Sequence, residues 1–113
     1  MRERSAVRVI PRNAITVAIE NEGYPLAYGV VANISLAGAC LWTNGAFHVG
    51  ENLVLRLSFP HEPQPVQAVG RVVWEDQRRD PQGVLRYGLF WSPGGAATSR
   101  LKALIDAAAR ADS

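Results

Sequence analysis

NLVLRLSF, residues 52–59, is the segment that decides the fold class. Leu53, Leu55, Leu57 and Phe59 alternate with Asn52, Val54, Arg56 and Ser58. A period of two places every second side chain on the same face of an extended strand, whereas an amphipathic helix needs apolar residues three and four positions apart. The segment therefore predicts a β-strand with one buried face.

Most of the chain up to residue 91 has a similar pattern, with turn residues at short intervals. We predict further strands at residues 14–19, 26–34, 39–43, 66–75 and 85–91. The segment PHEPQP, residues 60–65, must be a loop because its three prolines cannot donate to a strand ladder. Six short strands in one small domain bury their faces and hide their edges best by closing. We therefore expect a mainly β protein built as a six-stranded antiparallel β-barrel.

The hydrophobic period changes near the C-terminal end. After a Pro-Gly-Gly turn at residues 93–95, Thr98 or Ser99 can cap a helix that starts at about residue 98. One stripe of that helix carries Leu101, Leu104, Ile105 and Ala108. We expect one C-terminal α-helix that packs against the barrel or closes one of its ends.

Length and composition indicate a single soluble domain. The chain has 113 residues, of which 48% are hydrophobic and 19% are charged, and this size suits one core. No run approaches the roughly 20 apolar residues that span a bilayer, and the N-terminal residues lack the apolar stretch of a secretion signal. Cys40 is the only cysteine, which fits a reducing compartment. These features predict a cytoplasmic protein with no membrane-inserted segment.

Positive charge is concentrated at the N-terminus. The first twelve residues contain Arg2, Arg4, Arg8 and Arg12 against Glu3 alone, whereas the rest of the chain has eight basic and nine acidic residues. Arginine has a planar fork that binds phosphate oxygens and stacks on bases. We therefore assign residues 1–13 to a flexible, arginine-rich segment and residues 14–113 to the barrel with its helix. Taken alone, the positive charge of residues 1–13 is also consistent with a solvated tail.

The sequence contains no arrangement typical of an active site or a metal site. His48 and His61 are far apart and lack a metal-ligand spacing. Cys40 has no histidine within sequence reach, which favours a buried, inert thiol. Glu75 and Asp76 are neighbours on a strand and so point to opposite faces. We predict no catalytic residue, no metal site and no cofactor.

Two short motifs remain, and their order resembles that of PilZ domains. The motif RxxxR is formed by Arg4 and Arg8, and the motif NxSxxG is formed by Asn33, Ser35 and Gly38. The later segments VGRVVW, residues 69–74, and RYGLF, residues 86–90, are similar to the late hairpin of that family. The resemblance implies a bacterial receptor for the second messenger cyclic di-GMP, which passes its signal to an effector protein that the sequence does not identify.

The chemistry of these side chains suits a ligand with two guanines and two phosphates. An arginine can donate paired hydrogen bonds to guanine O6 and N7 or to phosphate oxygens. In an extended chain Arg4 and Arg8 lie up to ~13 Å apart, so both can clamp one dinucleotide. Asn33 and Ser35 can share a strand face and offer an amide and a hydroxyl to a purine edge, while Gly38 permits a tight turn and close backbone approach.

Several alternatives stay open at this point. Arg8 and Arg12 form a second RxxxR match, so Arg12 is a weaker candidate ligand. Trp74 is another weaker candidate, either as a stacking platform or as a core residue. The NxSxxG residues could instead serve the turn alone, with Gly38 supplying a positive φ.

The alternative function is a PilZ-like protein-interaction adaptor that binds no nucleotide. Nonspecific nucleic-acid binding ranks last, because outside the N-terminal segment the basic and acidic residues nearly balance.

Overall fold

The computed structural model describes residues 9–11, 13–21, 24–76, 83–92 and 98–111. Across these residues the chain forms six strands and one helix. In chain order they are β1 (Thr16–Asn21), β2 (Tyr24–Ile34), β3 (Gly38–Thr43), β4 (Asn52–Ser58), β5 (Val66–Asp76), β6 (Leu85–Trp91) and α1 (Ser99–Ala111). Each strand predicted from the sequence is present, with its ends shifted by at most two residues.

The six strands close into a barrel in the order β1-β2-β3-β6-β5-β4, and β4 pairs back with β1. Every pairing is antiparallel. Closure satisfies the hydrogen-bonding groups that an open sheet would leave along its edges. The predicted six-stranded antiparallel barrel with one C-terminal helix is confirmed.

The inward faces of the strands form one hydrophobic core. Its largest fully buried side chains are Trp91, Ile15, Ile19, Ile34, Leu41, Leu55, Leu57, Leu101, Val72 and Thr43. In β4 the three leucines are buried, and Arg56 and Ser58 between and beyond them are exposed, as the alternation predicts. The barrel wall therefore has a clear inside and outside, and any ligand must use the outside or an open end.

Helix α1 packs on the barrel through its apolar stripe. Leu101 and Ile105 are buried in the core, and Leu104 and Ala108 pack against it. The Thr98 hydroxyl accepts a 3.3 Å hydrogen bond from the backbone N–H of Leu101, which satisfies one donor of the first helical turn. The predicted cap and stripe are both present.

The first turn of α1 also holds the proline-rich loop between β4 and β5. The Arg100 guanidinium donates to the carbonyl oxygens of Gln64 at 2.9 Å and Pro65 at 3.1 Å, and it contacts the Glu62 carboxylate at 3.4 Å. Prolines have no backbone N–H to donate within this loop, and Arg100 supplies donors to two of its carbonyls. The loop and the helix are thereby fixed to each other.

Candidate functional site

The turn between β2 and β3 is organised by Ser35. This residue is only 3% exposed, and its Oγ accepts hydrogen bonds from the backbone N–H groups of Ala37 at 3.2 Å and Gly38 at 3.3 Å. The Ser35 backbone N–H donates to the Gly38 carbonyl at 2.8 Å. The Ser35 hydroxyl thus lies inside the turn, where it satisfies backbone donors, rather than on the barrel surface beside a purine edge.

Trp91 fixes the same turn from the end of β6. Its indole Nε1 donates to the Ser35 carbonyl at 2.9 Å, and its backbone N–H donates to the Ala37 carbonyl at 3.0 Å. Trp91 is 1% exposed, so these bonds form in the core, where an unpaired polar group is costly. The sequence argument did not single out Trp91. The sequence feature that could have identified Trp91 is its position, which follows the alternation of the inward-facing residues in the last strand.

Gly38 is required by the close approach of two strands. A Cβ at this position would collide with the Leu89 backbone carbonyl across the β3–β6 pairing. Among the described glycines only Gly50 and Gly83 have a positive φ. The expectation of a close backbone approach is confirmed, and the alternative that Gly38 supplies a positive φ is wrong.

Asn33 and Trp74 lie in one row across the outside of the barrel. Asn33 pairs with Cys40, Cys40 pairs with Gly88, and Gly88 pairs with Trp74. Three interstrand spacings separate Asn33 from Trp74, which corresponds to ~14 Å across the strands. The two residues between Asn33 and Trp74 are small, so the row forms a low floor with an amide at one end and an indole at the other.

The orientation of Trp74 results from a bulge in β5. The β5–β6 register shifts between Val72 and Trp74, and the extra residue places Val72 in the core and Trp74 outside with 43% exposure. The indole lies against Gly88, where a Cβ would overlap the ring. Trp74 is therefore not a core residue. The other interpretation, an exposed aromatic ring that can serve as a stacking platform, stays open.

Val9 brings the N-terminal segment to the same turn. Its backbone N–H donates to the Ile34 carbonyl at 2.7 Å, and the Ile34 N–H donates to the Val9 carbonyl at 2.9 Å. The Val9 side chain is buried in the core, although the sequence assigns residues 1–13 to a flexible segment. The candidate arginines Arg4, Arg8 and Arg12 lie outside the described residues.

Most cations on the described surface are engaged by neighbours. Arg56 contacts the Glu20 carboxylate at 2.9 Å, and this hydrogen bond, together with the attraction of the opposite charge, raises the pKa of Arg56. Arg86 lies 3.9 Å from Asp76 and its guanidinium stands 5.4 Å from the centre of the Trp42 ring.

Arg71 has no ion-pair partner among the described residues. It lies on β5 opposite Phe90, and the sequence argument assigned a role to neither residue.

Two further observations concern metal binding and membrane crossing in the part of the chain that the structure describes. There, no three His, Cys, Asp or Glu side chains come together in a way that could hold a metal ion. The one described helix, α1, is too short and too polar to cross a membrane.

The barrel with its C-terminal helix corresponds to a known domain family. A family model for the PilZ domain matches residues 2–107. The chain therefore belongs to the PilZ domain family.

Solved structures share this fold. The Bacillus subtilis inhibitor of motility, MotI/DgrA, superposes with a TM-score of 0.71 at 23% identity over 99% of this chain, which spans only 52% of that protein. The PilZ domain of YcgR from Escherichia coli, solved with c-di-GMP, has a TM-score of 0.69 at 10% identity and covers 98% of this chain and 95% of that one. No curated protein matches the chain in sequence. At these identities the structures establish a shared fold.

Proposed function

We propose that this chain is a cyclic di-GMP receptor that holds its ligand between the N-terminal arginines Arg4 and Arg8 and the turn that contains Asn33, Ser35 and Gly38. The observation that carries the proposal is the pairing of Val9 with Ile34. Arg8 is joined to Val9 by one peptide bond, and consecutive Cα atoms are about 3.8 Å apart. Val9, the residue that follows Arg8 in the sequence, is thus held beside the NxSxxG turn, and this supports a role for RxxxR.

The row from Asn33 to Trp74 suits one dinucleotide. Asn33 offers an amide to a purine edge, and Trp74 offers a flat ring on which a base can stack. The Trp74 indole lies over Gly88 and Cys40 has a small side chain, so a base that stacks on the indole has space beside it, towards Asn33. The solved YcgR domain, which has the same fold, contains c-di-GMP, and this supports the choice of ligand.

Ser35 and Gly38 act on the ligand through the shape of the turn. The Ser35 hydroxyl is engaged by two backbone N–H groups, and Gly38 allows β3 to reach β6. These residues position the backbone next to Asn33. Asn33, Arg4 and Arg8 supply the direct polar contacts, Trp74 supplies the stacking surface, and Arg12 replaces Arg4 if the second RxxxR match is the one in use.

Ligand binding orders the N-terminal residues and presents a new surface to an effector protein. Ordering costs about 1 to 2 kcal/mol for each residue fixed, so the clamp closes only when charge pairing and stacking exceed that cost. Val9 is already held by two hydrogen bonds, which shortens the segment that must become ordered. The sequence contains a single cysteine, Cys40, which fits a cytoplasmic receptor.

The second candidate is a protein-interaction adaptor that binds no nucleotide. One observation favours it: Tyr24, Leu26 and Tyr28 on β2 are all exposed. Exposed apolar side chains next to one another on a small domain mark surfaces that contact other proteins. This candidate and the receptor differ in whether the domain binds c-di-GMP at all.

Calorimetric titration decides between them. We expect heat of binding with c-di-GMP and none with GTP or single-stranded DNA. Arg4→Ala and Arg8→Ala should each weaken binding at least tenfold, because each removes charge-assisted hydrogen bonds worth about 1.5 to 3 kcal/mol. Arg2→Ala is the matched control, since it removes the same charge from the same segment outside the motif. Absence of heat with c-di-GMP would reject the receptor and leave the adaptor.

A further inference from the structure

A second row of outward residues runs beside the row from Asn33 to Trp74. Gly38 pairs with Phe90, Phe90 pairs with Arg71, and Arg71 pairs with Asn52. Phe90 is 52% exposed although its neighbours Leu89 and Trp91 are buried, so its ring lies on the outer surface of the barrel. Gly38 has no side chain to cover that ring.

Arg71 is the charged member of this row. It is exposed, and none of the ion pairs among the described residues includes it. Arg56, Arg86 and Arg100 are each held by a carboxylate, so their charges already contribute to the fold. The Arg71 guanidinium keeps its donors available for an anion or for the edge of a base.

A depression lies beside these two side chains. It has a volume of about 360 Å³ and is lined by Arg71 and Phe90 together with Val49, Gly50 and Val73. The loop wall of the depression is fixed, because the Gly50 N–H donates to the Val72 carbonyl at 2.7 Å and the Val72 N–H donates to the Glu51 carbonyl at 2.9 Å. A cation and an aromatic ring thus border a preformed hollow.

The depression lies beside the row from Asn33 to Trp74, where the nucleotide is proposed to bind. Phe90 is two residues from Gly88 on β6, a distance of ~7 Å along the strand, and Gly88 is the residue against which Trp74 lies. A ligand that lies on the row from Asn33 to Trp74 therefore has Trp74 at one end of that row. Phe90 and Arg71 lie on the neighbouring row. Both sides lie within the extent of one dinucleotide.

We propose that Arg71 and Phe90 are additional ligand-contacting residues: Phe90 stacks on a base that lies over Gly38, and Arg71 donates to a phosphate or to a guanine edge. This inference rests on the proposed cyclic di-GMP receptor function and adds a contact surface on β5 and β6 that neither RxxxR nor NxSxxG contains. The ligand chemistry is that of a purine nucleotide, because the surface pairs one cation with one flat apolar ring.

The test is calorimetric titration of the full chain and its variants with c-di-GMP. Arg71→Ala should raise the Kd about tenfold, and Arg71→Lys should recover only part of that loss because lysine lacks the planar fork. Phe90→Leu keeps an apolar side chain but removes the ring, and we expect a Kd about five- to tenfold higher. Arg56→Ala is the matched control, since it removes one exposed arginine from β4 and should stay within about twofold of wild type.

Thermal unfolding of each variant without ligand shows whether the barrel is intact, and we expect Arg71→Ala and Phe90→Leu to unfold close to wild type. If wild type binds c-di-GMP and Arg8→Ala weakens binding while Arg71→Ala and Phe90→Leu bind as wild type, the added surface is wrong and the receptor function stands. A loss with Arg71→Ala no larger than with Arg56→Ala also overturns the inference. If wild type binds no c-di-GMP, both proposals fail together.

Discussion

The Trp91 indole Nε1 donates a 2.9 Å hydrogen bond to the backbone carbonyl of Ser35, and both residues are buried. This bond joins the last strand of the barrel to the turn of the NxSxxG motif. The turn therefore depends on a residue far along the chain and on closure of the barrel.

Trp91→Phe should lower the free energy of unfolding by about 2 kcal/mol, because it leaves the buried Ser35 carbonyl without its donor and leaves space where the second ring stood. Urea denaturation measures this change. Trp74→Phe is the control, since Trp74 lies on the outer surface, and its cost should be below ~1 kcal/mol. Equal costs for the two substitutions would contradict the role given to Trp91.

Gly38→Ala should destabilise the barrel by about 3 kcal/mol, because the new methyl group would collide with the Leu89 carbonyl and push β3 away from β6. Gly50→Ala separates this effect from backbone strain: Gly50 has a φ of +97° and open space around it, so its cost should be only the strain of about 1 to 2 kcal/mol. Chemical denaturation compares the two variants. A Gly38→Ala variant as stable as wild type would show that the strands can separate without penalty.

Asn33→Ala and Ser35→Ala should affect the protein in different ways. Ser35→Ala removes the acceptor of the Ala37 and Gly38 N–H groups and should cost about 1 to 2 kcal/mol of stability, with weaker c-di-GMP binding as a consequence. Asn33→Ala should weaken binding about tenfold with a smaller effect on stability. Melting curves and calorimetric titration on the same samples test the pair. If Ser35→Ala lowers affinity with no loss of stability, its hydroxyl contacts the ligand directly.

Arg100→Ala should loosen the loop between β4 and β5. The substitution removes donors to the Gln64 and Pro65 carbonyls and should cost ~1 kcal/mol, since the site is partly exposed. It should also speed limited proteolysis within residues 60–65. Lys102→Ala removes the other cation near the start of the helix. The Lys102 side chain has no such contacts among the described residues, so this variant should leave the cleavage rate unchanged. Equal cleavage rates in both variants would contradict the anchoring role.

The sequence determined the strands and helix of this protein, because those depend on local periodicity. The alternation in residues 52–59 predicted which β4 side chains are buried, and the stripe from Leu101 to Ala108 predicted the packed face of the helix. The residues Ser35 to Gly38 of the NxSxxG motif also predicted the turn between β2 and β3, since they are close in sequence. In each case the deciding residues lie within a few positions of one another.

Only the tertiary structure decided which of these residues meet. Sequence periodicity shows whether a side chain points in or out, but it does not reveal strand register, which here includes a shift between Val72 and Trp74. That register sets Trp74 in the row of Asn33, and strand pairing sets Phe90 between Gly38 and Arg71. The physical reason is that cross-strand neighbours are far apart in sequence, so their contacts follow from closure of the whole barrel and not from any local pattern.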